Sequence, residues 1–341
     1  MDKPRVLYLP TPGHTRRVFR EETYARMCRL FEVHANPEDR NYITEEVAER
    51  VTGYDAIVTG WGTPPLTEEV FGRADRLRLI AHSAGSVKRM LSEEVVRRYI
   101  IPRGIVVFSA NEAIAYNVAE STVGMMIMAK RRWPEHIRAF QDKGVWRDPE
   151  VLWNGKFLLG STVGVIGASK VGRLVIRFLE PFQVKILVYD PYLSEWEAGR
   201  LGAEKVELEE LLRRSDIVTL HAPATPKTER MLRAEHFRLM KDGAVLVNTA
   251  RGRLVDHQAL LREARTGRIA VVLDVTDPEP LPPDSPFRDL PNVYITPHIA
   301  GAGHYGYFRI GDTTLKALED CLLLGKSVEG AVPLDRYALL A

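Results

Sequence analysis

The chain has 341 residues, more than one hydrophobic core usually supports, so we expect two domains. A formal net charge of +2 gives no whole-protein field for nucleic acid or an anionic membrane, and no apolar run is long enough to cross a bilayer. The two cysteines, Cys28 and Cys321, cannot form a disulfide framework and lack metal-site spacing, and the N-terminus has no signal-peptide apolar segment. We therefore expect a cytoplasmic protein without a metal site and without membrane or nucleic-acid partners.

Short runs rich in β-branched residues alternate with helical patterns along most of the chain. This alternation is typical of α/β folds, in which parallel strands are joined by crossover helices. The predicted strands, in chain order, are Val6–Leu9, Ala56–Thr59, Leu77–Ala81, Ile105–Phe108, Thr162–Ile166, Val184–Tyr189, Asp216–Leu220, Ala244–Asn248, Ile269–Leu273 and Val293–Thr296.

A Met-rich helix and a group of tryptophans lie between the two sets of strands. Ala115–Arg131 is apolar on most faces, and because Met fills irregular gaps we interpret it as a core helix that joins one domain to the next. Trp133, Trp146 and Trp153 follow it. Such a group fits either a packed loop or a subunit interface, where Trp is enriched.

The strongest local motif begins at the strand Thr162–Ile166, which is followed by a glycine turn, a helix and a second strand. Gly167 is expected to make the turn, and Gly172 to let the helix pack closely on the strand. Ser169 stands where the pattern usually has a glycine that lets backbone approach the pyrophosphate. The pyrophosphate would bind the N–H groups at the helix N-terminus. The motif therefore predicts a dinucleotide site.

Asp190 ends the second strand of this motif. A carboxylate at that position accepts hydrogen bonds from a ribose 2′-hydroxyl and repels a 2′-phosphate. Pro191 and Tyr192 follow, so no arginine stands ready to receive a phosphate. NAD is therefore favoured over NADP, and a solvated Asp before a proline turn is the alternative.

Polar residues follow most strands of the middle region. Because ligands collect at the carboxyl ends of strands in an open parallel sheet, we expect these residues to share one edge. They are Asp190, His221, Thr249, Arg251, Asp274 with Glu279 a little beyond, and His298; Gly167, Pro223 and Ala250 stand beside them in the same strand-end segments.

Three of these residues supply what hydride chemistry on a 2-oxo acid needs. Histidine is the residue type whose charge changes near neutral pH, so His298 suits general acid–base work. Glu279 is the candidate carboxylate that holds the imidazole ring and favours its charged form. Arg251 offers a planar fork of donors for a substrate carboxylate. Taken singly, Arg251 or Glu279 could be a surface ion-pair member, and His298 could cap a turn.

These motifs resemble the D-isomer-specific 2-hydroxyacid dehydrogenases. The resemblance covers roughly residues 115–303 and implies that Arg251 binds the substrate, that Glu279 partners the histidine and that His298 is the acid–base residue. The matching stretches are Val163–Gly172, Leu220–Pro223 with Thr225 and Thr228, Val247–Gly252, Leu273–Val275 through Glu279–Leu281, and Asn292–Gly301.

The resemblance also implies an NAD site, in which Asp274 hydrogen-bonds the nicotinamide carboxamide. The implied cofactor-binding residues are Gly167, Ser169, Lys170, Val171, Gly172, Asp190, His221, Ala222, Pro223, Thr228, Thr249, Ala250, Arg251, Asp274, His298 and Gly301.

The implied architecture has two domains of Rossmann-like and flavodoxin-like type. An NAD-binding domain, residues 111–299, would be inserted into a substrate domain made of residues 1–110 and 300–341, with the catalytic cleft between them. The resemblance further implies a homodimer joined through the region of the three tryptophans, which favours the interface interpretation.

The N-terminal third departs from the family pattern at the substrate loop, whose backbone N–H groups would bind the substrate carboxylate. Ser83, Ala84 and Gly85 are the implied substrate-binding residues, but Ser83 replaces a glycine and Val87 stands where an Asp is common. Farther on, Ile114 replaces a usual Asn. The substrate therefore stays open among glyoxylate, hydroxypyruvate, pyruvate and bulkier 2-oxo acids.

Two other functions remain compatible with the same motifs. An NAD-binding, corepressor-like regulatory protein can keep Arg251, Glu279 and His298, because fold alone does not fix function. Phosphite oxidation is a second alternative on this scaffold. Formate oxidation is disfavoured, since formate enzymes typically carry an amide where Glu279 stands.

Overall fold

The computed structural model describes residues 3–149, 151 and 155–339. The chain divides into two units, the first made of Met1–Ile114 and Ala302–Ala341 and the second of Ala115–Gly301. The corresponding predicted boundaries lie at 110/111 and 299/300. Each unit is built on its own parallel sheet.

Strands and helices alternate along the described residues, so each unit is an α/β layer structure, as the sequence predicts. The strands are β1 Arg5–Tyr8, β2 Glu32–Ala35, β3 Ala56–Thr59, β4 Leu79–His82, β5 Val106–Ser109, β6 Thr162–Ile166, β7 Lys185–Tyr189, β8 Glu204–Lys205, β9 Ile217–Leu220, β10 Val245–Asn248, β11 Ala270–Leu273 and β12 Val293–Ile295. The helices are α1 Pro12–Val18, α2 Glu21–Leu30, α3 Thr44–Arg50, α4 Glu68–Arg73, α5 Glu93–Val95, α6 Asn111–Lys130, α7 Trp133–Lys143, α8 Lys170–Leu179, α9 Glu195–Arg200, α10 Leu208–Arg214, α11 Ala234–Leu239, α12 His257–Ala264 and α13 His304–Leu318.

The first unit has a five-stranded sheet in the order β2-β1-β3-β4-β5, with every pair parallel. This order is that of flavodoxin-like folds, and it reverses between β1 and β3. Alternate residues of β1 enter opposite cores: Leu7 belongs to one cluster, and Val6 and Tyr8 to the other. The sheet is therefore buried on both faces, as parallel sheets generally are.

The second unit has a seven-stranded parallel sheet in the order β12-β11-β10-β9-β6-β7-β8. Read from β8, this is the doubly wound order of dinucleotide-binding folds, with β12 as a seventh strand, and the order reverses between β6 and β9. Val163 and Val165 of β6 pack on one face with Met126 of α6, while Ile166 packs on the other face. The Met-rich helix thus contributes to a core.

The ten predicted strands each overlap an observed strand, but two observed strands escaped prediction. In β2, Glu32–Ala35, only Val33 is even partly buried, so the segment lacks an apolar run. In β8 only two residues pair, Glu204 and Lys205. Both are edge strands, where a charged, exposed sequence is normal and the apolar signal is weak.

The described tryptophans after α6 are exposed. Trp133 is 47 % and Trp146 74 % exposed, whereas Trp153 lies outside the described residues. Within the described part of the chain, we find no helix with the length and apolarity needed to cross a membrane.

Candidate active site

The turn after β6 has no room for side chains. Gly167 has a φ of +95°, and a Cβ built on it would lie 2.6 Å from the backbone nitrogen of Ala222, just after β9. A Cβ on Gly172 would lie 2.1 Å from the carbonyl oxygen of Gly167. The glycine pattern predicts both close approaches, and together they join β6, β9 and the start of α8 where the strand order reverses.

Hydrogen bonds fix the residues around this turn. Ser169 is the N-cap of α8, and its Oγ accepts a hydrogen bond from the backbone N–H of Gly172 at 3.4 Å. Asp190, at the end of β7, accepts at Oδ2 from the N–H of Ala168 and at Oδ1 from that of Tyr192, both at 2.8 Å. The Asp190 carboxylate is therefore held beside the glycine turn.

His221 closes the same edge from β9. Its ring is fully buried, and burial lowers its pKa to about 3, so the imidazole is neutral at physiological pH. Nε2 shares a hydrogen bond of 2.9 Å with Thr219 Oγ1, while Nδ1 has no partner among the described residues. Beyond it, Thr228 Oγ1 donates to the carbonyl oxygen of Pro223 at 2.6 Å and so fixes this loop.

The loop that carries Arg251 is shaped by Asn248, the last residue of β10. Its side chain accepts from the N–H of Ala250 at 3.0 Å and donates to the carbonyl oxygen of Arg251 at 2.9 Å. The next residue is Gly252, where a Cβ would lie 2.1 Å from the carbonyl oxygen of Thr276. This contact holds the Arg251 loop directly against the segment that leads to Glu279.

Asp274 organises the loop that carries His298. Its buried carboxylate accepts hydrogen bonds from Thr296 Oγ1 at 2.6 Å, from the N–H of Ile299 at 2.8 Å and from the N–H of Ala300 at 2.9 Å. Its carbonyl oxygen also accepts from the N–H of His298 at 2.9 Å. The nicotinamide role predicted for Asp274 stays a prediction; the structure shows that this residue fixes the loop that carries His298.

His298 and Glu279 form a direct pair. Nδ1 of His298 lies 2.5 Å from Oε1 of Glu279, and both side chains are about half exposed. His298 has a φ of +54°, a left-handed conformation that the hydrogen bonds around Asp274 maintain. Because Nδ1 faces the carboxylate, Nε2 is the ring nitrogen left to face a substrate.

Helix α6 supports both loops from behind. Asn117 Nδ2 donates to the carbonyl oxygen of Gly301 at 3.1 Å, and Ser121 Oγ donates to that of Ala300 at 2.9 Å. Thr122 Oγ1 shares a hydrogen bond of 2.9 Å with Thr249 Oγ1 beside the Arg251 loop. The helix is thus hydrogen-bonded both to the residues that follow His298 and to the residue beside the Arg251 loop.

In the first unit, the predicted substrate loop follows β4. The N–H and the hydroxyl of Ser83 both donate to the carbonyl oxygen of Thr59, at 2.8 and 2.6 Å, and Oγ also bonds His14 Nε2 at 3.0 Å. Both donors of Ser83 are therefore used inside the protein, and its substrate-binding role stays a prediction. Among the described residues, the backbone N–H groups of Ala84 and Gly85 donate to no other atom.

Sequence reasoning missed the residues that position these loops. Asn248 had a recognisable signal, because an Asn that ends a strand commonly bonds the backbone two residues on. Thr296, Asn117 and Ser121 had none, since their roles depend on contacts distant in the sequence. Nor does any group of His, Cys, Asp and Glu in the described ranges have the geometry to hold a metal ion.

The sequence profile described as D-isomer specific 2-hydroxyacid dehydrogenase, NAD binding domain, matches residues 123–300. The chain belongs to this family. The chain is 36 % identical over 278 residues to a glyoxylate reductase of Korarchaeum cryptofilum, an alignment that covers 80 % of this chain and 81 % of that protein. The fold and the NAD-binding domain predicted from the sequence are thereby confirmed.

Two further relatives mark the breadth of the family. A D-3-phosphoglycerate dehydrogenase of Methanocaldococcus jannaschii is 36 % identical over 256 residues, which are 74 % of this chain but only 47 % of that protein. The chain therefore spans about half the length of that relative. The solved structure of a phosphoglycerate oxidoreductase from Rhizobium etli is 26 % identical, with a TM-score of 0.82 over 97 % of this chain and 98 % of that one.

The residues present fit NAD, the cofactor of this family's domain. Gly167 leaves no side chain over the start of α8, where helix N–H groups and the helix dipole favour a pyrophosphate. The unpaired Nδ1 of His221 is a buried polar atom at the same edge. Asp190 supplies the fixed carboxylate that suits a ribose hydroxyl rather than a phosphate.

Proposed function

We propose that this dehydrogenase interconverts glyoxylate, or a similarly small 2-oxo acid, with its 2-hydroxy acid, using Arg251, Glu279 and His298. The 2.5 Å contact between His298 and Glu279 carries the proposal. An exposed imidazole fixed by a carboxylate on one nitrogen is the arrangement that general acid–base catalysis requires. NAD, when bound, accepts or supplies the hydride.

His298 handles the proton at the substrate oxygen. In the reducing direction, the protonated ring donates the proton on Nε2 to the carbonyl oxygen; in the oxidising direction, neutral Nε2 takes the proton from the hydroxyl. Glu279 holds Nδ1 throughout and stabilises the imidazolium. The bonds from Thr296, Ile299 and Ala300 to Asp274 keep the ring in place.

Arg251 binds the substrate carboxylate in this proposal. Its guanidinium has a planar fork of donors that matches a carboxylate, and its charge polarises the neighbouring carbonyl group. One of its nitrogens, Nη1, donates to the carbonyl oxygen of Ala250 at 2.7 Å, which steadies the side chain. In the first unit, the backbone N–H groups of Ala84 and Gly85 are the candidate donors to the same class of group.

Glyoxylate is the first substrate candidate because this chain aligns with most of a glyoxylate reductase but with only about half of a phosphoglycerate dehydrogenase. The alignment covers 81 % of the Korarchaeum glyoxylate reductase but 47 % of the Methanocaldococcus phosphoglycerate dehydrogenase. The phosphorylated acid is therefore the second candidate. A regulatory role without catalysis is not favoured, since these relatives carry the names of enzymes.

The test is NADH oxidation with glyoxylate, hydroxypyruvate, pyruvate, 3-phosphohydroxypyruvate and one bulky 2-oxo acid, each over a range of concentrations. We expect the highest kcat/KM with glyoxylate. A clear preference for another acid would overturn the substrate, and no turnover of any of them beside normal NADH binding would overturn the enzymatic function.

A further inference from the structure

A cavity lies at the amino-end edge of the seven-stranded sheet, opposite the glycine turn. Its volume is about 360 Å³. Ser161 directly precedes β6 and Asp216 directly precedes β9, so the cavity lies where these strands begin. The residues that line it are Lys130, Gly155, Lys156, Phe157, Leu159, Gly160, Ser161 and Asp216.

Lys130, the last residue of α6, is the buried cation of this cavity. It is only 5 % exposed, and within the described ranges its ammonium group makes no hydrogen bond or ion pair. Burial lowers its pKa, Asp216 opposes that effect, and the charges of Lys156 and Lys241 lower the pKa further. Its Nζ is not among the fully buried, unpaired side-chain atoms of the described residues, so the ammonium opens into the cavity, where it can gain from a bound anion.

The carboxylate of Asp216 is already occupied. Oδ2 accepts a hydrogen bond from the N–H of Thr162 at 2.8 Å, and Oδ1 pairs with Lys241 Nζ at 3.1 Å. Lys156 Nζ reaches the turn that follows Lys241, lying 3.8 Å from where a Cβ on Gly243 would stand. Lys130 and Lys241 both act on the Asp216 carboxylate, and Lys156 acts on Lys130. Among these four groups, three ammonium charges against one carboxylate leave an excess of about two positive charges at neutral pH.

We propose that this cavity binds the phosphate group of a small molecule. A phosphate monoester carries about −1.5 to −2 charges at pH 7, which matches the local excess, and lysines bind phosphate as point charges. The negative end of the α6 dipole accounts for one cation at this helix terminus, but not for Lys156 and Lys241. The site is separate from the nucleotide site, which lies at the carboxyl ends of the strands.

Thermal unfolding tests the site in protein saturated with NADH, so that the pyrophosphate position is occupied. Inorganic phosphate is added at constant ionic strength, with chloride as the reference. A ligand that binds only the folded protein raises the unfolding midpoint in a saturable way. We expect this response in the wild-type protein and at least a fivefold weaker apparent affinity in Lys130→Met and Lys156→Met.

Lys185→Met is the matched control, because Lys185 is a lysine of the same unit that pairs with Glu204 on the surface. It should respond like wild type. Lys156 is exposed, so its variant tests the site even where Lys130→Met fails to fold.

A parallel titration with glycerol 3-phosphate separates free phosphate from a phosphate ester. Saturable binding of either compound supports the proposal if it weakens in the Lys130 or Lys156 variant. The compound that binds more tightly shows whether the site takes free phosphate or a phosphate ester. An identical response in all variants, or no saturable response to either compound, overturns it.

Discussion

At the scale of single residues, His298 is the position on which the proposed chemistry depends most directly. Its φ of +54° limits the replacements that leave the backbone alone, and Asn is among the few residues that adopt such a conformation readily. We expect His298→Asn to lower kcat by about 10²–10⁴-fold in both directions at every pH, because general acid–base catalysis contributes about that much. NADH binding, followed by fluorescence titration, should not change. Near-normal turnover would place the proton transfer on another residue.

Glu279 should set the size of the activity through the position of the His298 ring. Its carboxylate lies 2.5 Å from His298 Nδ1 and holds the imidazole with Nε2 turned to the substrate side. Glu279→Gln keeps the size of the side chain but replaces a charged hydrogen-bond acceptor with a neutral amide, so the ring should be held less firmly. We expect kcat/KM to fall at least about tenfold in both directions, or ~1.4 kcal/mol. The measurement is kcat/KM for reduction and for oxidation.

The control for this loss is Asp284→Asn, which removes an exposed carboxylate from the same proline-rich segment without touching His298. It should keep the wild-type kcat/KM in both directions. Wild-type activity of Glu279→Gln itself would show that Glu279 does not position the ring.

At the scale of elements, the variant Ser169→Gly tests whether the start of α8 can carry a glycine, the residue that the nucleotide motif usually has at this position. The Ser169 hydroxyl caps the helix through Gly172, and Gly costs only a few tenths of a kcal/mol relative to Ser at an N-cap. We expect Ser169→Gly to bind NAD within about tenfold of wild type, or ~1.4 kcal/mol, by isothermal titration. Complete loss of binding would make the serine hydroxyl a principal phosphate ligand.

The elements of the second unit were predictable because their signals are local. Buried parallel strands such as β11 are continuous apolar runs, and the end of the run shows which residue follows the strand. The loop contacts were not predictable in this way. The bond from Thr296 to Asp274 and the contact of Gly252 with Thr276 join residues more than twenty positions apart, so only the folded sheet brings them together.

The first unit shows a different limit of sequence reasoning. Its motif predicted that the loop after β4 offers backbone donors, but not that Ser83 would turn both its donors toward Thr59. That outcome depends on β3 and β4 being neighbours and on His14 reaching Ser83 from α1.

At the scale of the whole molecule, buried histidines should make the protein sensitive to acid. Burial lowers the pKa of His14 to about 4 and those of His82 and His221 to about 3, all below the unfolded value of 6.5. As pH falls, these histidines therefore bind protons in the unfolded chain before they do so in the folded protein. The free energy of unfolding decreases as pH falls from about 6.5 toward 4. Each such histidine lowers the free energy of unfolding by about 1.4 kcal/mol per pH unit in that range.

Urea unfolding at several pH values between 7 and 4 measures this slope. His14→Gln should make it shallower, whereas His34→Gln, at an exposed histidine, should not. The test uses the change of the unfolding free energy with pH, not its absolute value. His14→Gln also loses the hydrogen bond to Ser83, which lowers the unfolding free energy at every pH. Equal slopes in wild type and His14→Gln would contradict the assignment.

At the same scale, exposed apolar side chains on and just after α7 predict that the chain assembles with a second copy of itself. Trp133, Ile137 and Phe140 follow a helical spacing on α7 and are each about half exposed, and Trp146 packs edge-on against Phe140 with ring centroids 5.7 Å apart. Exposed aromatic and aliphatic side chains clustered in this way are typical of a subunit interface. A second copy of the chain is the expected partner, so the protein should sediment as a dimer at micromolar concentration.

Charge introduced into this face should separate the subunits. Ile137→Glu and Trp146→Glu should each shift the sedimentation profile toward the monomer, because an unpaired carboxylate is strongly unfavourable in a buried contact. Trp196→Glu is the matched control, since Trp196 is an exposed tryptophan on α9 outside this face and its variant should stay dimeric. A wild-type monomer, or dimers that persist in both variants, would show that the exposed face of α7 is not the interface.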